Sequence, residues 1–81
     1  MEERKTEDLV RYLVGALVDN PDDVVIERRD DAGRITFEVS VHEDDVGKVI
    51  GRQGRIVKAI RSLARAAGLL EGEQVYVDVL G

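Results

Sequence analysis

The first apolar positions along the chain recur at helical spacing. Leu9, Leu13 and Leu17 form one row of fours, and Val10, Val14 and Val18 form the next, so together they make an apolar stripe on one helix face. Thr6 stands where an N-cap would, with Glu7 and Asp8 behind it where the helix dipole favours carboxylates. Asn20-Pro21 marks the end, because proline pushes its predecessor out of the α region. Gly15 lies inside this helix at a cost of about 1 kcal/mol against alanine, which points to close packing against a neighbour. The period then changes to two. Val24-Val25-Ile26 opens a β-prone run reaching about Arg29, and Ile35, Phe37, Val39 and Val41 alternate with Arg34, Thr36, Glu38 and Ser40. Such alternation buries one face of a strand and wets the other. Asp30-Asp31-Ala32-Gly33 reads as the turn between the two runs, which predicts an antiparallel hairpin. The alternation returns near the end, with Val75, Val77 and Val79 inward and Gln74, Tyr76 and Asp78 outward.

Two helical segments separated by glycines lie between the second and third strands. Glu43-Asp44-Asp45 opens the first, and Lys48 falls in its last turn. The second runs from about Arg55 to Ala67, with Gly68 as its stop. On a helical wheel Ile56, Ile60, Leu63 and Ala67 centre its apolar arc, with Lys58, Arg61 and Arg65 on the opposite side as a solvated face. The predicted order is α-β-β-α-α-β, without linker, repeat or low-complexity stretch. It implies an α+β fold: three helices packed on one face of a three-stranded sheet, in a single domain over residues 1–81.

Composition narrows the function. A chain of 81 residues buries only about 60% of its unfolded surface, which leaves little room for an enclosed pocket. Cysteine is absent, which removes disulfides and cysteine zinc sites and suits a reducing compartment. The charged start Met-Glu-Glu-Arg-Lys lacks a signal peptide's apolar core, and no apolar run approaches the roughly 20 residues of a membrane span. A soluble, cytoplasmic protein is expected. Net charge is −5, but it is unevenly spread. Residues 1–47 carry fourteen acids and six bases, and residues 66–81 carry three acids and no base. Residues 48–65 carry Lys48, Arg52, Arg55, Lys58, Arg61 and Arg65 without one acid. A single basic block on an acidic chain is a local footprint for an anionic partner.

That block contains Val49-Ile50-Gly51-Arg52-Gln53-Gly54-Arg55-Ile56. Two glycines three apart, between one helix ending and another beginning, make a tight turn with no Cβ at its corners. A phosphate backbone can approach such a turn closely. The following helix aims unpaired N–H groups and its positive dipole end at the same place, and Arg52 and Arg55 add full charges. Lys48, Gly51, Arg52, Gln53, Gly54 and Arg55 are therefore the candidate phosphate-binding residues. Val39, Val46, Val49 and Ile50 are candidates for an adjoining apolar groove that would take the bases.

The stretch resembles the signature of the KH-domain family, in which a Gly-x-x-Gly loop joins two helices and clamps about four nucleotides. The element order is similar to the type II, bacterial form, and the resemblance covers essentially the whole chain, including Asp45-Val46-Gly47-Lys48 ahead of the loop. It implies binding of single-stranded RNA, RNA-chaperone or post-transcriptional regulatory activity, a KH-containing partner protein, and a link to cell-shape and cell-wall homeostasis. Single-stranded DNA binding is the neighbouring reading, because backbone clamping discriminates sugars poorly. A protein-interaction module on the same scaffold is another, against which Arg52-Gln53 speaks.

Other chemistry is not indicated. Glu43-Asp44-Asp45 needs no metal to explain acids at a helix start, and His42, the sole histidine, has no cysteine or second histidine beside it. No triad, P-loop or metal constellation is present, so neither catalytic residues nor cofactors are expected. Tyr12, Phe37 and Tyr76 are too scattered for an aromatic stacking platform. The apolar arc of the last helix spans about half its circumference, wider than the roughly 100° needed to face a sheet. Its Ala59, Leu63 and Ala66 edge is the candidate seam of a homodimer, or of a contact with the KH-containing partner.

Overall fold

The computed structural model describes residues 5–80, so the charged first residues lie outside it. Its elements are helix α1 (Lys5–Leu17), strands β1 (Val25–Asp31) and β2 (Arg34–Ser40), helices α2 (Val46–Ile50) and α3 (Arg55–Leu70), and strand β3 (Gln74–Leu80). Short 3-10 turns stand at Pro21–Asp23, Glu43–Asp45 and Arg52–Gly54. The sheet order is β1-β2-β3, with β1 antiparallel and β3 parallel to the central β2. The α-β-β-α-α-β order and the α+β class are as the periodicities imply.

The alternation in β2 decides which face is covered. Ile35, Phe37 and Val39 are buried, as are Val75 and Val77 beside them on β3. Their neighbours Gln74, Tyr76 and Asp78 are exposed on the other face. α3 lies against β3, and α1 and α2 both pack on α3. Val10 and Val14 of α1, Val49 of α2 and Ile60 and Ala64 of α3 complete one core. Each large side chain so buried contributes roughly 1.5–3 kcal/mol.

Several local readings are corrected. Thr6 is a buried residue already inside α1, not its cap; its hydroxyl donates to Glu71 at 2.7 Å and ties the start of α1 to the end of α3. Gly15 has no atom within 4 Å of where a Cβ would stand, so close packing does not explain it. Asp31 belongs to β1, and the turn shrinks to Ala32-Gly33. Both of these residues have positive φ, as a two-residue type I′ hairpin requires. Gly68 does not stop α3, which continues to Leu70. It is buried, and a Cβ there would overlap the side chain of Val75. The buried stripe of α3 is Val57, Ile60, Ala64 and Gly68, one step around from the expected centre, because α3 faces β3 along its glycine.

Candidate nucleic-acid interface

Gly47 accepts the amide of Gly51 at 2.9 Å, and this bond ends α2. Gly51 then takes φ 77°, Gln53 φ 57° and Gly54 φ 74°, and the chain re-enters a helix at Arg55. The two glycines serve different purposes. A Cβ on Gly51 would sit 2.5 Å from Ile56 Cγ1, so this corner packs against the first turn of α3. In front of Gly54 the nearest atoms to such a Cβ are 3.9 Å away, on Lys58 and Val57, which leaves the second corner open. No side chain caps the start of α3. The Arg55 amide is taken by the Arg52 carbonyl, so the N–H groups that follow it and the positive dipole end are what α3 offers at the open corner, beside the exposed Arg52, Gln53 and Arg55. Of the positions named from sequence, Gly51, Arg52, Gln53, Gly54 and Arg55 come together here.

Lys48 is placed differently. Its ammonium binds Asp19 and Asp45, the latter at 3.2 Å. Both bonds, the one to Asp19 foremost, raise its pKa above the ordinary lysine value. Asp45 is fully buried, a role not read from the sequence. It accepts the N–H of Asp19 at 3.2 Å and both nitrogens of Asn20 at 3.0 and 3.1 Å. Burial alone would push this carboxyl up. The hydrogen bonds from Asp19, Asn20 and Lys48 outweigh burial and bring it from 3.8 to about 2. The sequence signal was the spacing of Asp45 and Lys48, three apart, where helical side chains meet. The carboxylate thus fastens the segment after α1 to the start of α2, the helix that carries the loop.

The four groove candidates divide. Val39 and Val49 are fully buried in the core, whereas Val46 and Ile50, at the two ends of α2, are half-buried, and Ile50 directly precedes the loop. On α3, Arg61 is not simply solvated: its Nε donates to the main-chain oxygen of Val77 at 2.9 Å, on β3. Ala59, Leu63 and Ala66 are exposed, Leu63 to 51%. A groove between α1 and α3, lined by Leu13, Leu17, Ile56, Ala59 and Leu63 among others, runs along this edge. α1 forms one wall of the groove and does not close over it. His42 caps the turn at Glu43–Asp45 by accepting the amide of Asp44 at 3.0 Å. Among the described residues no group of acids and histidines is arranged to hold a metal, and no helix is long and apolar enough to cross a membrane.

The chain as a whole has known relatives. RNA-binding protein KhpA of Halalkalibacterium halodurans is 47% identical over 72 residues, covering 89% of this chain and 95% of that protein. KhpA of Bacillus subtilis is 42% identical over 79 residues, covering 98% of each. Among solved structures, Era from Aquifex aeolicus gives a TM-score of 0.63 at 23% identity over 93% of this chain. Era in complex with MgGDPNP and a segment of 16S ribosomal RNA gives 0.65 at 22% over 91%. This chain spans only 29% and 28% of those Era chains, and at such identity the likeness is one of fold. The profile of the KhpA/KhpB KH domain matches residues 7–79, and with relatives at these identities the chain belongs to that non-enzymatic family.

Proposed function

We propose that this protein binds single-stranded RNA by seating its sugar-phosphate backbone on the turn formed by Gly51, Arg52, Gln53 and Gly54. The observation that carries the reading is the uncapped start of α3 facing the open corner at Gly54, with two arginines at its rim. Backbone N–H groups and guanidinium groups there meet phosphate oxygens, and Val46 and Ile50 offer apolar surface to the bases. Lys48 contributes through Asp45, by holding α2 in place. The relatives named RNA-binding protein KhpA support the same substrate class. Acting in the cytoplasm as an RNA chaperone or post-transcriptional regulator, with a KhpB-type partner, is the physiological role that fits a small clamp of modest affinity. Homodimerisation along Ala59, Leu63 and Ala66 would place two clamps in one particle.

The test is Arg52→Asp combined with Gln53→Asp. Two carboxylates would face the phosphates, and like-charge contact replaces attraction. Fluorescence anisotropy with RNA and DNA oligomers of about four nucleotides should show binding lost, with the circular dichroism spectrum and Tm held, since both positions are exposed turn residues. Undiminished RNA affinity in the double variant would refute the site. Tighter binding of DNA than RNA by the wild type would replace the substrate.

A further inference from the structure

Lys58, Arg61 and Arg65 recur on α3 at spacings that share one helix face, and all three are exposed. The face starts at the loop, where the Cε of Lys58 lies 3.9 Å from the position of a Cβ on Gly54. It follows the open edge of the sheet, because among the described residues β3 pairs only with β2. The bond from Arg61 to the Val77 carbonyl fixes its guanidinium along that edge. Arg65 comes about 16 Å from Gly54 along the helix axis, eleven residues at about 1.5 Å each.

At that point the basic face opens on a concavity between the last turns of α3 and the start of β3, lined by Arg65, Leu69, Gln74, Val75 and Tyr76. Its walls carry exposed apolar surface, with Leu69 64% and Tyr76 38% exposed. Arg34 lies 4.8 Å from the centroid of the Tyr76 ring and steadies it at the rim. Of the acids close in sequence, Glu71 is engaged by Thr6 and Glu73 by Arg28, while Asp78 stands exposed two residues beyond Tyr76, toward the far end of β3 from Gln74 and Leu69. Apolar walls beside a guanidinium and an amide suit a nucleobase, whose flat face is apolar and whose edge carries donors and acceptors.

We propose that this concavity is a second subsite, taking a nucleobase of the same RNA strand held at the loop, and that Lys58, Arg61 and Arg65 carry the intervening phosphates. The inference rests on the loop reading. Leu69 and Tyr76 receive the face of the base, and Gln74 and Arg65 meet its edge. The footprint then exceeds the four nucleotides of the clamp, and affinity depends on the length of RNA.

The chain has no tryptophan and two tyrosines, so in Tyr12→Phe the only tyrosine emission is that of Tyr76. This variant is titrated with RNA of about four nucleotides and of roughly ten. Tyr76 emission is expected to fall with the longer RNA only. The slope of log K against log salt should steepen from about −2 to about −4, at roughly −0.7 for each added phosphate contact. Arg65→Ala with Leu69→Ser should weaken the longer RNA roughly tenfold or more, by analogy with loss of one base contact, and leave the shorter within about twofold. Unchanged Tyr76 emission at saturation, or equal losses on both oligomers, would overturn the subsite. Binding both oligomers with equal affinity and slope removes the subsite alone; binding neither removes the loop reading and the subsite with it.

Discussion

The main-chain and side-chain nitrogens of Asn20 both donate to one carboxylate oxygen of Asp45, at 3.0 and 3.1 Å. The other oxygen takes the N–H of Asp19 and the ammonium of Lys48, each at 3.2 Å. Removing this buried carboxylate breaks up a part-buried set of hydrogen bonds, so Asp45→Asn is expected to be less stable at neutral pH. The pH dependence has a definite sign. The folded carboxyl is held at about 2 against an ordinary 3.8. Its contribution is therefore full above about pH 4, declines as pH falls, and is gone below about pH 2. Urea unfolding across that range should show the gap between wild type and Asp45→Asn closing on acidification. A gap that stays constant from neutral pH to pH 2 would mean the ionised carboxylate is not what stabilises.

Gly68 and Gly15 make a paired prediction, because both lie inside helices and only one has a neighbour. Alanine at Gly68 must displace Val75, a stiff β-branched side chain, and Glu73's carbonyl lies 3.2 Å away. Gly68→Ala should cost about 1–3 kcal/mol, as overpacking does. Gly15 has open space, so Gly15→Ala should gain about 0.5–1 kcal/mol from helix propensity. Denaturant melts of the two variants should shift in opposite directions. A shift of the same sign for both would show that α3 can move away from β3 at little cost.

These glycines also mark the limit of what the sequence could tell. Periodicity identified α1, β2, α3 and β3, because β2 and β3 alternate strictly and α1 keeps its rows of fours, while β1 was read from its β-prone run and α2 from the acids at its start and the glycines after it. It did not say which neighbour each helix meets, so the stripe of α3 was centred on Ile56, Ile60, Leu63 and Ala67, whereas Val57, Ile60, Ala64 and Gly68 are the residues buried. The loop was legible since its residues are local: two glycines, two arginines and a helix start lie within five positions. Asp45 and Arg61 were not, because their partners, Asn20 and the Val77 carbonyl, are 25 and 16 residues away. A carboxylate before a helix and a guanidinium on its polar side look solvated until the fold brings a distant backbone to them.

The loop glycines should be unequal. At Gly51 an added Cβ meets both a positive φ and Ile56 at 2.5 Å. Gly51→Ala should therefore shift the first turn of α3 and lower stability by more than the left-handed penalty of about 1–2 kcal/mol. At Gly54 the penalty stands alone, since no atom comes nearer than 3.9 Å. Gly54→Ala should keep the fold and lose RNA affinity where its methyl fills the open corner. Denaturant melts set beside anisotropy titrations separate the two. Greater destabilisation by Gly54→Ala would reverse the assigned roles.

The last prediction concerns Leu63. Its side chain is 51% exposed on an α3 edge where Ala59 and Ala66 are exposed as well. The small residues allow a second backbone to come close, and Leu63 supplies one large anchor. The groove beside them has Leu13 and Leu17 of α1 on its far wall, so an incoming helix would find apolar surface on both sides. In the proposed dimer a two-fold axis through this edge would set Leu63 on its twin, an isologous contact. Glutamate there would put two carboxylates face to face at the axis. Sedimentation velocity at micromolar concentration should give wild type near twice the 9.0 kDa of one chain and Leu63→Glu at one. Affinity for an RNA with two binding segments should then fall on the order of 100-fold in the variant, because linkage of the two clamps is lost. Affinity for a single short segment should be unchanged. A wild type that sediments as a monomer, or a Leu63→Glu dimer as tight as wild type, would remove the seam and the avidity that depends on it.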